Sequence, residues 1–81
     1  MKKGTKVFCI DDEFIIDCTQ PEKLRNIQFP KKNIEYTVRN NENFFGIDCI
    51  LLNEIVNEKL KFDDMPEPIE IAWPANRFKP V

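Results

Sequence analysis

The first side chains in this sequence that could do chemistry are four neighbouring carboxylates, Asp11, Asp12, Glu13 and Asp17. Several oxygen ligands on a bending loop can hold Ca²⁺, but these residues lack the glycine-containing spacing of an EF-hand. Paired carboxylates can also hydrolyse glycosides, provided that a cleft raises the pKa of one of them. A chain of 81 residues is too short for a convincing cleft. We therefore interpret the group as a solvated acidic loop.

The second set of reactive side chains consists of Cys9, Cys18 and Cys49. The sequence contains no histidine, which excludes Ser-His-Asp and Cys-His mechanisms and any zinc site with a histidine ligand. Three widely spaced cysteines fit buried reduced thiols better than a secreted disulfide framework. Gly4 and Gly46 stand alone, so no glycine-rich phosphate loop is present. We expect no catalytic residue, no metal and no cofactor, and hence no enzyme.

Composition indicates an ordinary soluble domain. Hydrophobic residues make up 42% of the chain and charged residues 32%, which predicts one globular domain over residues 1–81. No apolar run approaches the roughly 20 residues that cross a bilayer, and the basic start meets "DDE" before a signal-peptide core develops. We therefore expect a cytoplasmic protein without membrane contact. A net charge of -2 gives no global reason to bind nucleic acid.

The middle of the chain carries the clearest strand pattern. In "NIEYTVRN", residues Ile34, Tyr36 and Val38 alternate with polar residues, which predicts a strand with one buried face. The asparagines of "NNEN" favour a reversal into "FFGIDCILL", which is apolar on both faces. Such a strand must be covered twice or bend around a small barrel, with Gly46 as the place for a bend.

Other segments complete an all-β prediction. "TKVFCI" reads as a strand, residues 11–30 as a long excursion, and "IEIAW" and "FKPV" as strands separated by one helical turn at "PANRF". "NEIVNEKLKF" reads either as strand or as helix, because its apolar residues do not alternate cleanly. The pattern predicts a small SH3-like barrel of about five strands, with a long first loop and a short 3-10 turn before the last strand.

Four blocks also carry a family resemblance: "KVFCIDD", "IEYTVRN", "LLNEIVN" and "EPIEIAWPANRFKPV". In this order they resemble a group of short uncharacterised bacteriophage and prophage-type proteins. The resemblance implies an SH3-like barrel in a bacterial host cytoplasm and supplies no reaction.

The residues that we expect to bind a partner are Trp73, Arg77, Tyr36, Lys31 and Lys32. Tryptophan is enriched at binding hot spots, yet a lone tryptophan in so small a domain is also the natural core residue, so both positions for Trp73 stay open. We expect a non-enzymatic module that binds a protein, or itself through the second apolar face of "FFGIDCILL". The alternative is a nucleic-acid-binding accessory protein, in which scattered lysines form one patch beside stacking aromatic rings.

Overall fold

The structure, a computed structural model, describes residues 1–14, 21–44, 46–63 and 65–81. It is mainly β, with five antiparallel strands in one sheet of order β4-β3-β2-β1-β5. Two short 3-10 helices are present in the described ranges, and no helix there is long and apolar enough to cross a membrane. The elements are β1 (Lys6–Cys9), a first 3-10 helix (Pro21–Leu24), β2 (Glu35–Phe44), β3 (Ile47–Leu52), β4 (Trp73–Pro74), a second 3-10 helix (Ala75–Arg77) and β5 (Phe78–Pro80).

Strand β2 lies at the centre of the sheet and joins the β1–β5 half to the β3–β4 half. Its first residues pair with β1, where Tyr36 lies opposite Val7, and the rest pairs with β3 as far as Phe44 opposite Ile47. A bulge between Val38 and Asn40 separates the two ladders. Bulges increase the local twist and bend of a strand, so one long strand can serve two differently oriented parts of the sheet.

The core lies on one face of this sheet, as the alternation predicts. Tyr36 and Val38 point into it, whereas Ile34 precedes β2 and is 48% exposed, so the prediction that Ile34 is buried is wrong. The alternation is broken here because Cys9 bonds to both Asn33 and Ile34, so two residues lie opposite one, and Asn33 is in the left-handed conformation. The buried cluster contains Val7, Cys9, Tyr36, Val38, Ile50, Leu52, Ile55, Phe62, Ile71, Trp73 and Phe78.

The reversal between β2 and β3 is displaced from its predicted position. "NNEN" continues the strand, and because Phe44 pairs with Ile47 the reversal comes after Phe44, with Gly46 as its described residue. Gly46 adopts φ +83°, and its N–H donates to the Asn43 side-chain oxygen at 3.0 Å. A glycine takes this left-handed conformation without steric cost, which explains why the turn forms there.

The sheet is open. Strands β4 and β5 lie at its two ends, although only the second 3-10 helix separates them in the chain. No ladder joins them within residues 65–81, so the closure of a barrel is not seen. Strand β4 is two residues long, and one of them is Pro74, which lacks an N–H for further pairing. The predicted long first loop and the 3-10 turn before the last strand are both present.

Two long connections remain. The first loop, residues 10–34, includes residues 15–20, so the predicted roles of Asp17 and Cys18 lie outside the described residues. The second loop, residues 53–72, contains no helix in its described part. Its local order comes from Leu60 and Ile69, whose backbones exchange hydrogen bonds of 2.6 and 2.9 Å.

Candidate functional site

The five residues predicted to bind a partner gather at one corner of the molecule, formed by residues 10–14, 29–36 and 73–78 and called the loop corner below. The Lys31 N–H donates to the Tyr36 hydroxyl at 2.9 Å, and the Ile10 N–H donates to the carbonyl of Arg77 at 2.9 Å. The Lys32 N–H donates to Asp12 Oδ2 at 3.1 Å. Backbone hydrogen bonds therefore fix the first loop against the end of the chain.

An aromatic stack forms the interior of the loop corner. The rings of Phe14 and Phe29 lie 5.1 and 5.3 Å from that of Trp73, and Tyr36 meets Phe78 edge-on at 6.5 Å. Tilted pairs at such separations are favourable beyond the area that they bury. Trp73 is 1% exposed and Tyr36 is also buried, so both are core residues and neither presents a ring to a partner in this conformation.

The surface above the stack is apolar and basic. Phe29 is 37% exposed while it packs on Trp73, and Ile34, which follows the exposed Lys31 and Lys32 in the chain, is also exposed. Sequence reasoning missed Phe29 and Ile34 as surface residues. The available signal was the run Lys31, Lys32 and Asn33 between them, because lysine is rarely fully buried and asparagine favours turns.

A tight turn orients the two lysines. The Ile34 N–H donates to the carbonyl of Lys31 at 3.2 Å, and Asn33 takes φ +69° between them. Asparagine tolerates this left-handed conformation better than most residues with a side chain. The Asn33 N–H donates to the Cys9 carbonyl at 2.8 Å, which anchors the turn beside the end of β1.

Acidic groups alternate with the cations of the loop corner. Arg77 forms an ion pair with Asp11 at 2.5 Å, and both side chains remain partly exposed. Asp12 is held near the lysine turn, and Glu13 beside it is exposed. The more distant lysines do not join this surface, because Gly4, next to Lys3, bonds to Val38 at the opposite end of β1. The predicted basic clusters thus form no single positive patch among the described residues.

The described cysteines are unsuited to nucleophilic chemistry. Cys9 and Cys49 are buried free thiols. Burial raises the pKa of Cys9, and the Asp12 and Asp11 carboxylates raise it further. Burial also raises the pKa of Cys49, with a smaller contribution from Asp48. A protonated thiol is a weak nucleophile and a weak metal ligand, and no cluster of three metal-ligating side chains occurs in the described residues.

A separate polar network attaches the second loop to the sheet. Arg39, at the bulge of β2, donates through Nη1 and Nη2 to the two carboxylate oxygens of Glu70, at 3.1 and 2.5 Å. Its Nε donates to the Leu52 carbonyl at 3.0 Å, and Nη2 reaches the Ile55 carbonyl at 3.3 Å. A planar guanidinium is suited to this bidentate pairing, so Arg39 ties both ends of the second loop to β2.

Asn57 extends the network to the first loop. Its N–H donates to Glu70 Oε2 at 3.3 Å, and its side-chain amide exchanges two hydrogen bonds with the backbone of Gln28, at 2.9 and 3.0 Å. Asn57 is buried, and these bonds satisfy its amide. Neither loop could shift without breaking a bond to the other.

The network forms one wall of an open groove of about 380 Å³ on the face of the sheet opposite the core. Its apolar lining consists of Phe44, Leu51, Pro68 and Ile69. Glu42 and Lys59 also line it, and neither has an ion-pair partner among the described residues. The groove is thus lined by apolar side chains together with charges of both signs.

Comparison of the chain with protein-family models, with curated proteins and with solved structures finds no match. The loop corner and the groove must therefore be interpreted from their own geometry.

Proposed function

We propose that this protein is a non-enzymatic interaction module whose loop corner binds a protein partner. The observation that carries the proposal is the exposure of two apolar residues on either side of Lys31 and Lys32: Phe29, which packs on Trp73, and Ile34. Rigid apolar groups lose little conformational entropy on binding and serve as anchors, while surrounding charges provide specificity.

The charge pattern favours a protein over a nucleic acid. Lysines of the loop corner alternate with Asp11, Asp12 and Glu13. A nucleic acid presents a continuous negative backbone, which those carboxylates would repel. A protein segment can present both signs, together with an apolar side chain for Phe29 and Ile34.

We also propose that the fold is an SH3-like barrel whose closure is incomplete. The support is the connectivity: β2 is shared by two ladders, and a single 3-10 turn leads from β4 at one end of the sheet to β5 at the other. So short a connection requires the sheet to curve until its two ends approach each other.

A random peptide display library, selected on the immobilised protein, tests the proposed function. We expect enriched peptides with an apolar residue between charges of both signs. Replacing Ile34 by Asp, or both Lys31 and Lys32 by Glu, should weaken the binding of a selected peptide at least about tenfold, which corresponds to about 1.4 kcal/mol.

The matched control replaces Lys2 and Lys3 by Glu, which makes the same charge change at the far end of β1. Equal weakening by the control, or no weakening by either corner variant, would refute the proposal. A single-stranded oligonucleotide is tested in parallel at low and high salt. Binding that needs Lys31 and Lys32 and disappears steeply with salt would replace the protein partner with a nucleic acid.

A further inference from the structure

The groove belongs to an apolar stripe that runs along the outer face of the β2–β3 hairpin. Successive residues of a strand point to opposite faces, so Ile47, Cys49 and Leu51 share the face opposite the core. Cys49 and Leu51 are buried, but Ile47 is 57% exposed at the tip of the hairpin, opposite Phe44. Pro68 and Ile69 of the second loop line the groove together with Leu51, and the tip of the stripe at Ile47 stays in solvent.

The charges around this stripe are self-complementary. Arg39 and Glu70 neutralise each other, while Glu42 and Lys59 contribute one charge of each sign without an ion-pair partner among the described residues. A two-fold contact brings the same patch of two copies together, so it requires a patch that attracts itself. A rim with one free anion and one free cation meets that requirement.

The strand edges offer a poor alternative for self-association. Pro74 on β4 and Pro80 on β5 have no backbone N–H to donate to another strand. Lys79 on β5 also places a charge at that edge, which disfavours pairing with a second copy. On β2, beyond its pairing with β1, the Asn41 N–H is already bonded to the Asn40 side chain at 3.0 Å. Association of two copies is therefore favoured at the outer face over the edges.

From these observations we infer that two copies of this chain associate through the outer faces of their β2–β3 hairpins. The hairpins pack antiparallel around a two-fold axis, and Ile47 of each copy covers Pro68 and Ile69 at the groove of the other. Glu42 of each copy faces Lys59 of the other. The contact closes on itself, so the product is a dimer.

Sedimentation equilibrium of the full chain over a wide concentration range tests this inference. We expect a monomer at low concentration and twice that mass at high concentration. Ile47→Asp should abolish the dimer because it places a carboxylate on the apolar contact. Val56→Asp is the matched control, since Val56 is 68% exposed and lies outside the stripe, and it should leave the dimer intact. Far-ultraviolet circular dichroism verifies that both variants are folded.

A charge exchange provides the second test. Glu42→Lys and Lys59→Glu should each raise the dimer dissociation constant about tenfold, because each places like charges in contact across the axis. The double variant should restore the wild-type value. A wild-type monomer at every concentration, a dimer that survives Ile47→Asp, or a series of larger oligomers would each overturn the inference. If the double variant does not restore the wild-type dissociation constant, Glu42 of one copy does not face Lys59 of the other.

Discussion

The two long loops are attached to the same sheet by different kinds of interaction. The first loop contributes Phe14 and Phe29, which pack on Trp73. The second loop is attached at its Glu70 end by hydrogen bonds and charge, through the guanidinium of Arg39. Apolar contact depends little on geometry and on salt, whereas a bidentate ion pair requires a defined position. The first loop is thus held largely by aromatic contact. The second loop buries Ile55, Phe62 and Ile71 in the core and adds an ion pair that fixes its orientation.

This difference bears on what each surface can do. The loop corner presents side chains on a stable aromatic base, which suits a partner that fits by shape. The groove wall is a set of fully satisfied polar groups, and no buried side-chain nitrogen or oxygen among the described residues lacks a partner. Satisfied networks specify one arrangement, because any displaced member loses its bonds without replacement. The groove should therefore keep its form while empty.

The largest effect should come from removing the anchor of the first loop. Trp73→Ala leaves a cavity beneath Phe14 and Phe29 and should reduce the free energy of unfolding by about 3–5 kcal/mol. Because small domains have a total of only about 5–15 kcal/mol, the variant should be near its folding limit. Urea denaturation followed by circular dichroism measures the loss. A loss below about 1 kcal/mol would show that the aromatic stack does not hold the first loop.

A smaller effect should follow from breaking the ion pair of the second loop. Arg39→Met and Glu70→Gln should each cost about 2 kcal/mol, because each leaves the partly buried partner with unmatched bonds. In a double-mutant cycle the two changes should be non-additive by about 1–3 kcal/mol. A higher salt concentration should reduce the coupling free energy between Arg39 and Glu70, and it should leave the stability loss of Trp73→Ala unchanged. Additive losses would mean that the two side chains act independently.

The smallest effect concerns Glu54, where the second loop meets the outer side of β2. Burial acts to raise the pKa of Glu54, but hydrogen bonds from the Thr37 N–H and hydroxyl, at 2.7 and 2.9 Å, and the charge of Lys6 hold it below the ordinary value. A lowered folded-state pKa adds stability above the unfolded pKa, and that stability is lost as pH falls through the folded one.

Glu54→Gln should therefore slightly lower stability at neutral pH and remove this part of the acid dependence. Thermal unfolding from neutral to acidic pH measures both, with Glu58→Gln as the control on a neighbouring exposed carboxylate of the same loop. The wild type and Glu54→Gln should converge at low pH. If the unfolding temperatures of the wild type and Glu54→Gln differ by the same amount at every pH, the ionised Glu54 carboxylate does not stabilise the fold.

The contrast between the loops also explains which features the sequence could predict. Strands β1, β2, β3 and β5, the 3-10 turn and the two-faced apolar character of β3 follow from local period and residue type, whereas only Trp73 of the predicted strand "IEIAW" lies in β4. The pairing of Arg39 with Glu70 does not, because the partners lie 31 positions apart and no periodicity connects them. The end of β2 could not be predicted from the sequence either. Asn43 stays in the strand and accepts a hydrogen bond from the Gly46 N–H with its side chain. The predicted site residues lie at the same corner of the molecule, but the side chains of Trp73 and Tyr36 are buried in the core.

The pairing of β1 with β5 has a consequence for the order of folding. Val7 pairs with Pro80, whereas the β2–β3 hairpin joins residues that are neighbours across a turn. Closing a long segment of chain costs more entropy than closing a short one, and such pairings slow folding. We expect the hairpin to form early and the β1–β5 ladder to form late. The loop corner, whose parts come from the first loop, the start of β2 and the end of the chain, would then be completed in the last step.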